Sequence, residues 1–288
     1  MLRIVVDFLK NRPKTIRHFS TTSVKMMFEE KQIQLNCNKN LYNINYVRSG
    51  HGQNAVILLP GALGSAETDF KPQIEQLPKL LPNHTIIAID PPGYGKSKPP
   101  NRTFPLDFFH RDANVANTLM QMLDFQKYTI LGWSDGGITG LIMAATYSNA
   151  IDKLIIWGAN SHILPEEVDI YESIRDVSLW SAKMREPMEK MYGVEYFPQL
   201  WSEWIDAMKQ LFEKNNGDIC KNELSQITAN TLIVHGAKDP MILPQHVPFL
   251  REHIKTTEYY EFPNGKHNIH LRYADEFNAI VSKFILNK

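Results

Sequence analysis

The chain has 288 residues, with 31 basic and 31 acidic side chains and therefore no formal net charge at pH 7. A nucleic acid or an anionic membrane as the main partner needs a strong basic excess, so this balance argues against both. The hydrophobic content of 43% suits a globular protein with one large domain, and two cysteines, Cys37 and Cys220, are too few for a disulfide framework.

The first 28 residues differ from the rest in charge. They hold six basic residues against one acid, Asp7, with a short apolar helical face at Leu2–Leu9 and a hydroxyl-rich stretch at Ser20–Ser23. This composition is typical of a mitochondrial transit peptide. We therefore predict a transit peptide over residues 1–28 and a mitochondrial matrix location, with a disordered basic tail as the alternative. No apolar run is long enough to span a bilayer.

Strand-like runs begin after this segment. Two of them alternate apolar and polar residues, at Gln32–Cys37 and Leu41–Val47, as half-buried strands at a sheet edge do. Five later runs are continuously apolar, as strands buried on both faces are: Ala55–Leu59, Thr85–Ile89, Tyr128–Leu131, Leu154–Trp157 and Thr231–Val234. Helical patterns lie between them, for example at Ala116–Leu123. The alternation predicts an α/β fold with a mostly parallel sheet and helices on both faces.

The alternation of strands and helices stops after Asn160. Residues 161–224 contain no strand-like run but many aromatic and methionine residues in helical surroundings. We predict a helical insertion that covers the sheet edge as a lid, while residues 29–160 and 225–288 form the α/β core. Most large apolar residues of the insertion are expected to pack between its helices, and a minority to line the pocket.

The strongest local signal is the pentapeptide Gly132-Trp133-Ser134-Asp135-Gly136. It follows the apolar run at Tyr128–Leu131 and precedes a helical pattern at Ile138–Tyr147, which is the strand–turn–helix context of a G-x-S-x-G nucleophile elbow. The glycines allow close approach of neighbouring backbone, and the following helix points its N-terminus at the reacting centre. We predict that Ser134 is the nucleophile of a serine hydrolase.

A nucleophilic serine needs a base that accepts its proton, and the base needs an acid that orients it. On this kind of fold the acid follows the serine and the histidine comes last. Asp239 lies just after the run ending at Val234, and His267 just after a short run at Tyr259–Phe262. Both therefore stand at strand ends on the edge that carries Ser134. We predict a catalytic triad of Ser134, Asp239 and His267.

Three further candidate features are weaker. His235 closes a predicted strand and His270 starts the last predicted helix, so both compete less well than His267 for the role of base. Gly95-Lys96-Ser97 is not the end of a P-loop, because the first glycine of that motif would fall at Asp90. The sequence has no metal-ligand spacing, and we predict neither a metal nor a cofactor.

An oxyanion hole needs two backbone N–H groups aimed at the developing negative charge. One is expected from Asp135, the residue after the nucleophile. The other is expected from the loop Pro60–Gly64, with Ala62 as the first choice and Leu63 as the second.

The role of the Asp135 side chain has two interpretations. Its carboxylate turns outward or caps the helix that begins at Gly136, where an acid suits the helix dipole. Alternatively, it faces the pocket and binds a cationic group of the substrate, which would orient the scissile carbonyl for attack by Ser134.

Five segments carry a resemblance to a known family: Leu59–Ser65, Gly132–Thr139, Ile156–Asn160, His235–Pro240 and Gly265–His270. They resemble the biphenyl hydrolase-like, or valacyclovir hydrolase, family of the α/β-hydrolase superfamily, over nearly the whole chain after residue 30. The resemblance implies a mitochondrial serine hydrolase that needs no cofactor and cleaves α-amino-acid esters. It also implies Ser134, Asp239 and His267 as the triad, and Asp135 as the group that binds the α-ammonium.

The predicted function is therefore hydrolysis of small-molecule α-amino-acid esters through an acyl-enzyme on Ser134. A carbon–carbon bond hydrolase or a general carboxylesterase on the same fold is the alternative, because the fold alone does not decide the reaction. A non-catalytic binding protein is a third class, and the complete triad argues against it. The oligomeric state does not follow from the sequence, and a monomer is the simplest case.

Overall fold

Eight strands form one sheet in the computed structural model, which describes residues 28–287. In chain order they are β1 (Phe28–Cys37), β2 (Asn40–Ser49), β3 (Asn54–Leu59), β4 (His84–Ile89), β5 (Tyr128–Trp133), β6 (Ile151–Trp157), β7 (Asn230–Gly236) and β8 (Thr257–Phe262). The predicted transit peptide lies outside the described residues except for its last residue, Phe28, which begins β1.

The sheet is antiparallel at one edge and parallel elsewhere. The strands are ordered β1-β2-β4-β3-β5-β6-β7-β8, and only the pairings of β2 with β1 and with β4 are antiparallel. The carboxyl ends of β3 to β8 therefore meet at one edge, where open α/β sheets bind their ligands. The predicted α/β fold with a mostly parallel sheet is confirmed.

Helices cover both faces of the sheet. They are α1 (Ala66–Asp69), α2 (Lys71–Leu80), α3 (Phe108–Met122), α4 (Asp135–Thr146), α5 (Pro165–Ser173), α6 (Ala182–Tyr192), α7 (Tyr196–Asn215), α8 (His246–His253), α9 (Ile269–Arg272) and α10 (Ala274–Leu286). In β3, Ile57 packs in the core cluster that contains α3 and α4, whereas Val56 packs in the cluster that contains α2 and α10. Because neighbouring side chains of a strand point to opposite faces, a strand covered on both faces is continuously apolar.

The segment between β6 and β7 is helical. It holds α5, α6 and α7 with two short 3-10 helices, and within residues 158–229 the only β pairing is an isolated bridge between His162 and Asp218. Large apolar residues such as Phe197 and Leu200 are fully buried against the core. In the part of the chain that the structure describes, no helix combines the length and the apolar character needed to cross a membrane.

Glu167 on α5 anchors this insertion to the core. Its side chain is fully buried, and one carboxylate oxygen accepts the Leu164 N–H at 2.9 Å, which caps its own helix. The other oxygen lies 2.8 Å from His246 Nε2 on α8. The insertion is therefore fixed beside the segment that links β7 to α8, which contains Asp239.

Candidate active site

The backbone turns sharply at Ser134, between β5 and α4. Its φ of 54° and ψ of −122° lie in a region that L residues rarely occupy, so the turn stores conformational strain. A Cβ on Gly132 would lie 2.4 Å from Gly136 O, and one on Gly136 would lie 2.0 Å from Leu59 O. The Ser134 N–H donates to Trp157 O at 3.0 Å, which ties the turn to β6. Gly132 and Gly136 therefore cannot be replaced by a residue with a side chain, as the elbow motif indicates.

Ser134, His267 and Asp239 form one chain of hydrogen bonds. Ser134 Oγ lies 3.0 Å from His267 Nε2, and His267 Nδ1 lies 2.9 and 3.1 Å from the two carboxylate oxygens of Asp239. An ionised carboxylate can only accept, so Nδ1 carries the proton and Nε2 is free to accept from the serine. The structure thus brings together all three residues of the sequence-predicted triad.

Asp239 stays ionised although its side chain is only 1% exposed. One of its oxygens accepts the N–H groups of Met241 at 2.9 Å and of Ile242 at 3.2 Å. Burial by itself raises the pKa of Asp239, but the charge and hydrogen bond of His267 and these two amides outweigh it and hold the pKa below its ordinary value. The charged carboxylate can therefore fix the His267 tautomer and stabilise the imidazolium.

The imidazole of His267 is held by Trp133 on β5 and by Gly158, the residue after β6. The Trp133 indole N–H donates to His267 O at 2.9 Å, and the two rings lie 5.3 Å apart. Gly158 has a φ of 54°, and a Cβ there would lie 2.9 Å from His267 Nδ1. The His267 side chain remains 19% exposed, so a substrate can approach it.

The two competing histidines have structural roles. His270 is completely buried, accepts the Trp157 indole N–H at 2.9 Å and donates to Asp69 O at 3.0 Å. Burial lowers the pKa of His270 to about 3, so the ring is neutral. His235 lies within β7, and burial lowers its pKa as well. Neither ring hydrogen-bonds to Ser134 among the described residues.

The loop after β3 packs against the nucleophile elbow. A Cβ on Gly61 would lie 3.4 Å from Ser134 Cβ, so this loop touches the serine. The Gly61 N–H donates to the buried carboxylate of Asp69 at 3.1 Å. From the other side, the Tyr192 hydroxyl on α6 donates to Leu63 O at 2.6 Å. The loop is therefore held by both the core and the insertion.

The predicted oxyanion donors Ala62, Leu63 and Asp135 lie on these two segments. Asp135 is the first residue of α4, where N–H groups have no acceptor within the helix. In the loop, the recorded hydrogen bonds are donated by the N–H groups of Gly61 and Gly64. Within residues 28–287 the N–H groups of Ala62 and Leu63 have no acceptor, and their role toward an oxyanion stays a prediction.

The side chain of Asp135 turns into the protein. It is only 7% exposed, and one carboxylate oxygen accepts the Trp204 indole N–H from α7 at 2.8 Å. Burial raises the pKa of Asp135 to about 7, although the Trp204 hydrogen bond and the charge of Arg102 act in the opposite direction. The alternative in which this carboxylate turns outward therefore does not match the structure.

A small cavity lies directly behind the elbow. Its volume open to water-sized molecules is about 20 Å³, and Asp135, Gly136 and Tyr94 are among its lining residues. Arg102 and Asp112 also line it and form a buried ion pair of 2.6 Å, with the guanidinium 4.2 Å from the Tyr94 ring centre. Asp112 also pairs with Arg111 at 3.1 Å, whereas Asp135 itself forms no ion pair within the described residues.

Comparison with known proteins identifies the family. Residues 54–175 match the family model described as the α/β-hydrolase fold. The human protein named serine hydrolase BPHL is 49% identical over 242 residues, which cover 84% of this chain and 82% of the human protein. The chain belongs to the biphenyl hydrolase-like serine hydrolases. The family resemblance of the sequence motifs is thereby confirmed.

Two more distant proteins also match most of the chain, one by sequence and one by structure. The 2-hydroxy-6-oxononadienedioate/2-hydroxy-6-oxononatrienedioate hydrolase 1 of Pseudomonas putida is 26% identical over 269 residues, covering 84% of this chain and 92% of that enzyme. A solved meta-cleavage product hydrolase from Pseudomonas fluorescens superposes with a TM-score of 0.69 at 21% identity, covering 88% of this chain and 97% of that structure. The latter likeness concerns the fold alone.

Biphenyl hydrolase-like serine hydrolases need a nucleophile, a base and an oxyanion site, and this chain holds a candidate for each. His267 can take the Ser134 proton as the hydroxyl attacks a carbonyl carbon, and the backbone N–H groups of Ala62 and Asp135 can receive the negative charge on the carbonyl oxygen. Within residues 28–287, no group of three or more side chains comes together that could hold a metal ion.

Sequence reasoning missed Trp204 and Arg102 as site residues of this serine hydrolase. Trp204 counted only as one aromatic residue of the insertion, and Arg102 lies in a loop without a motif. One signal was available, because Asp112 falls on the same face of α3 as Ala116 and Leu119. A carboxylate on an apolar helix face needs a buried partner, and here that partner is Arg102.

Proposed function

We propose that the protein hydrolyses carboxylic esters of α-amino acids through an acyl-enzyme on Ser134. The observation that supports this most is the Asp135 carboxylate, which is buried beside the nucleophile and forms no ion pair within the described residues. A pKa raised from 3.8 to about 7 corresponds to a cost on the order of 4 kcal/mol for holding the carboxylate charged. A cationic substrate group would supply the missing opposite charge.

The position of Asp135 favours an α-ammonium group in particular. That group lies two bonds from the ester carbonyl carbon, so a carboxylate next to the nucleophile can bind it while Ser134 attacks. Without the cation, the charge of Asp135 would oppose the oxyanion that forms nearby. With the cation bound, the pair is neutral and also orients the carbonyl.

The proposed reaction has two halves. The Ser134 hydroxyl adds to the ester carbonyl while its proton passes to His267 Nε2, and the oxyanion is received by backbone N–H groups. Collapse expels the alcohol, which takes the proton from His267, and leaves the amino acid as an ester of Ser134. Water then attacks this acyl-enzyme with His267 again as the base, which releases the amino acid and restores the serine.

Asp135→Asn is expected to remove the preference for a free α-amino group. Wild-type enzyme should prefer the benzyl ester of alanine over those of N-acetylalanine and propionate, because only the first carries an ammonium group. In Asp135→Asn the ratio of kcat/KM for the alanine ester to kcat/KM for the N-acetylalanine ester should fall by about 100-fold. The reason is that removing one partner of a buried charge pair costs about 2–5 kcal/mol. Product formation from each ester measures the ratio.

Labelling of Ser134 by a fluorophosphonate is the control for an intact triad, and it should persist in Asp135→Asn. If the variant keeps the wild-type ratio between the free and the N-acetylated ester, Asp135 does not bind the ammonium group and the proposed substrate class is wrong. Absence of labelling in the wild-type protein would instead favour a non-catalytic binding protein.

Carbon–carbon bond hydrolysis is the second candidate. The Pseudomonas putida relative favours it, because that enzyme is named for a 2-hydroxy-6-oxo dioate. A dioate carries two negative charges, and the buried carboxylate of Asp135 would repel one that lay beside the nucleophile. A general carboxylesterase, the third candidate, would hydrolyse the propionate and alanine esters equally well. A 2-hydroxy-6-oxo dioate added to the ester panel therefore distinguishes the three candidate activities: amino-acid esterase, carbon–carbon bond hydrolase and general carboxylesterase.

We also propose that the protein is imported into the mitochondrial matrix and cleaved there, on the composition of residues 1–28. Mass spectrometry of the protein purified from mitochondria should show a new N-terminus between Ser20 and Lys25, which would leave β1 intact from Phe28. An intact Met1 on the mitochondrial protein would contradict cleavage, and absence from mitochondria would contradict targeting.

A further inference from the structure

The helical insertion contributes one polar contact to the nucleophile elbow. Trp204 on α7 donates its indole N–H to one carboxylate oxygen of Asp135 at 2.8 Å. The indole is 3% exposed, stacks on Trp201 at 4.8 Å and meets the edge of the Tyr171 ring at 5.4 Å. This close packing on two sides restricts the indole, and the hydrogen bond to Asp135 sets the direction of its N–H.

We propose that Trp204 is the positioning residue for substrate recognition by Asp135. It holds one carboxylate oxygen and leaves the other free for the α-ammonium of an amino-acid ester. The inference rests on the function proposed above and extends it, because it makes the insertion a part of the specificity site. α7 would then set which esters are accepted, in addition to covering the sheet edge.

The chemistry of the indole suits this role better than a charged donor would. A lysine or arginine in the same place would neutralise Asp135 and remove its reason to bind an ammonium group. The indole N–H is a donor without a formal charge, so it orients the carboxylate and leaves its charge for the substrate. It also stabilises the ionised form, against the burial that raises the pKa of Asp135.

Trp201 offers a matched control on the same helix. Its indole N–H donates to Ile174 O at 2.9 Å, away from Asp135, and its ring belongs to the same stack as that of Trp204. Trp204→Phe and Trp201→Phe therefore remove the same atoms from neighbouring buried positions. Only the first removes a donor from Asp135, so a difference between the two variants reports the hydrogen bond rather than the loss of packing.

The readout is the ratio of kcat/KM for the benzyl esters of alanine and N-acetylalanine, measured from pH 5 to pH 8. His267 is the base for both esters, so its contribution to the rate is common to both and cancels from the ratio. The other titratable groups around Asp135 are Arg102, Asp112, Tyr94 and Tyr171. The α-amino group has a pKa of about 8 and stays charged on the acid side, so loss of the ratio as the pH falls reports protonation of Asp135.

Trp204→Phe is expected to lower the ratio about tenfold, which is the size of one hydrogen bond to a charged group. The pH at which the ratio falls to half on the acid side should be higher in Trp204→Phe than in the wild type, because the variant lacks a donor that lowers the pKa of Asp135. Trp201→Phe keeps a ring against Trp204 and the donor to Asp135, so it should change the ratio and its acid-side half-point much less than Trp204→Phe does. Circular dichroism and thermal unfolding check that both variants fold.

If Trp204→Phe fails to fold, Trp204 can be replaced by 3-benzothienylalanine instead. This residue has nearly the shape of the indole but a sulfur atom in place of the N–H. Equal effects in Trp204→Phe and Trp201→Phe, or an unchanged ratio in the benzothienyl variant, would overturn the proposal. If Asp135→Asn loses the preference while the Trp204 variants keep it, only this inference fails. If Asp135→Asn keeps the preference, the proposed substrate class fails first.

Discussion

Ser134→Ala is expected to lower kcat for ester hydrolysis by about four to six orders of magnitude and to abolish fluorophosphonate labelling. Ser134 Oγ lies 3.0 Å from His267 Nε2, and no other hydroxyl among the described residues hydrogen-bonds to this imidazole. Alanine keeps the Cβ and the backbone strain of the elbow, so the variant should fold as the wild type does. The residual rate would come from substrate binding and the backbone N–H groups.

Ser282→Ala provides the matched control. Ser282 is a buried serine of α10 whose hydroxyl has no hydrogen-bond partner in the structure, so its removal should change neither rate nor labelling. Stopped-flow or discontinuous product assays on both variants give the comparison. A Ser134→Ala enzyme with activity within tenfold of the wild type would exclude Ser134 as the nucleophile.

The elbow and the order of the triad were predictable from the sequence because their constraints are local. Gly132 and Gly136 lie two residues from Ser134; the contact that excludes a side chain at Gly132 lies within the turn, and the one at Gly136 is with Leu59 O at the end of the neighbouring strand β3. Asp239 and His267 are distant in sequence, but each follows a strand, the buried β7 for Asp239 and the partly exposed β8 for His267. Parallel strands end at one edge of a sheet, so the topology alone brings their ends together.

The contact between Asp135 and Trp204 was not predictable in this way. The two residues are 69 positions apart, and they meet because tertiary packing brings α7 beside the first residue of α4. Apolar periodicity indicates that a helix face is buried, but it does not indicate which polar atom of another element will become the hydrogen-bond partner of a polar atom on that face. For the same reason the sequence left the side chain of Asp135 with two interpretations. Burial excludes the outward-turned carboxylate, and among the described residues the carboxylate accepts from Trp204 and not from an N–H group of α4.

Asp239→Asn is expected to lower kcat roughly ten-thousand-fold, although the amide has nearly the size of the carboxylate. The N–H groups of Met241 and Ile242 both donate to one oxygen of Asp239, so the amide oxygen of asparagine must stay there. Its NH₂ group then faces His267 Nδ1. An NH₂ group only donates, so at the shorter contact of 2.9 Å it favours the tautomer in which Nδ1 accepts and the ring proton is on Nε2, although the amide oxygen still lies 3.1 Å from Nδ1.

With its proton on Nε2, His267 would donate to Ser134 Oγ instead of accepting from it, and the general base would be lost while every atom stays in place. Fluorophosphonate labelling should therefore slow in proportion to kcat, in contrast to Ser134→Ala, in which no labelling is possible. Asp152→Asn, at a half-exposed carboxylate that pairs with Lys127 at the opposite end of the sheet, should leave both rates unchanged. If Asp239→Asn keeps its kcat within tenfold of the wild type, the His267 tautomer is not set by Asp239, and the buried carboxylate serves only to hold the backbone at Met241.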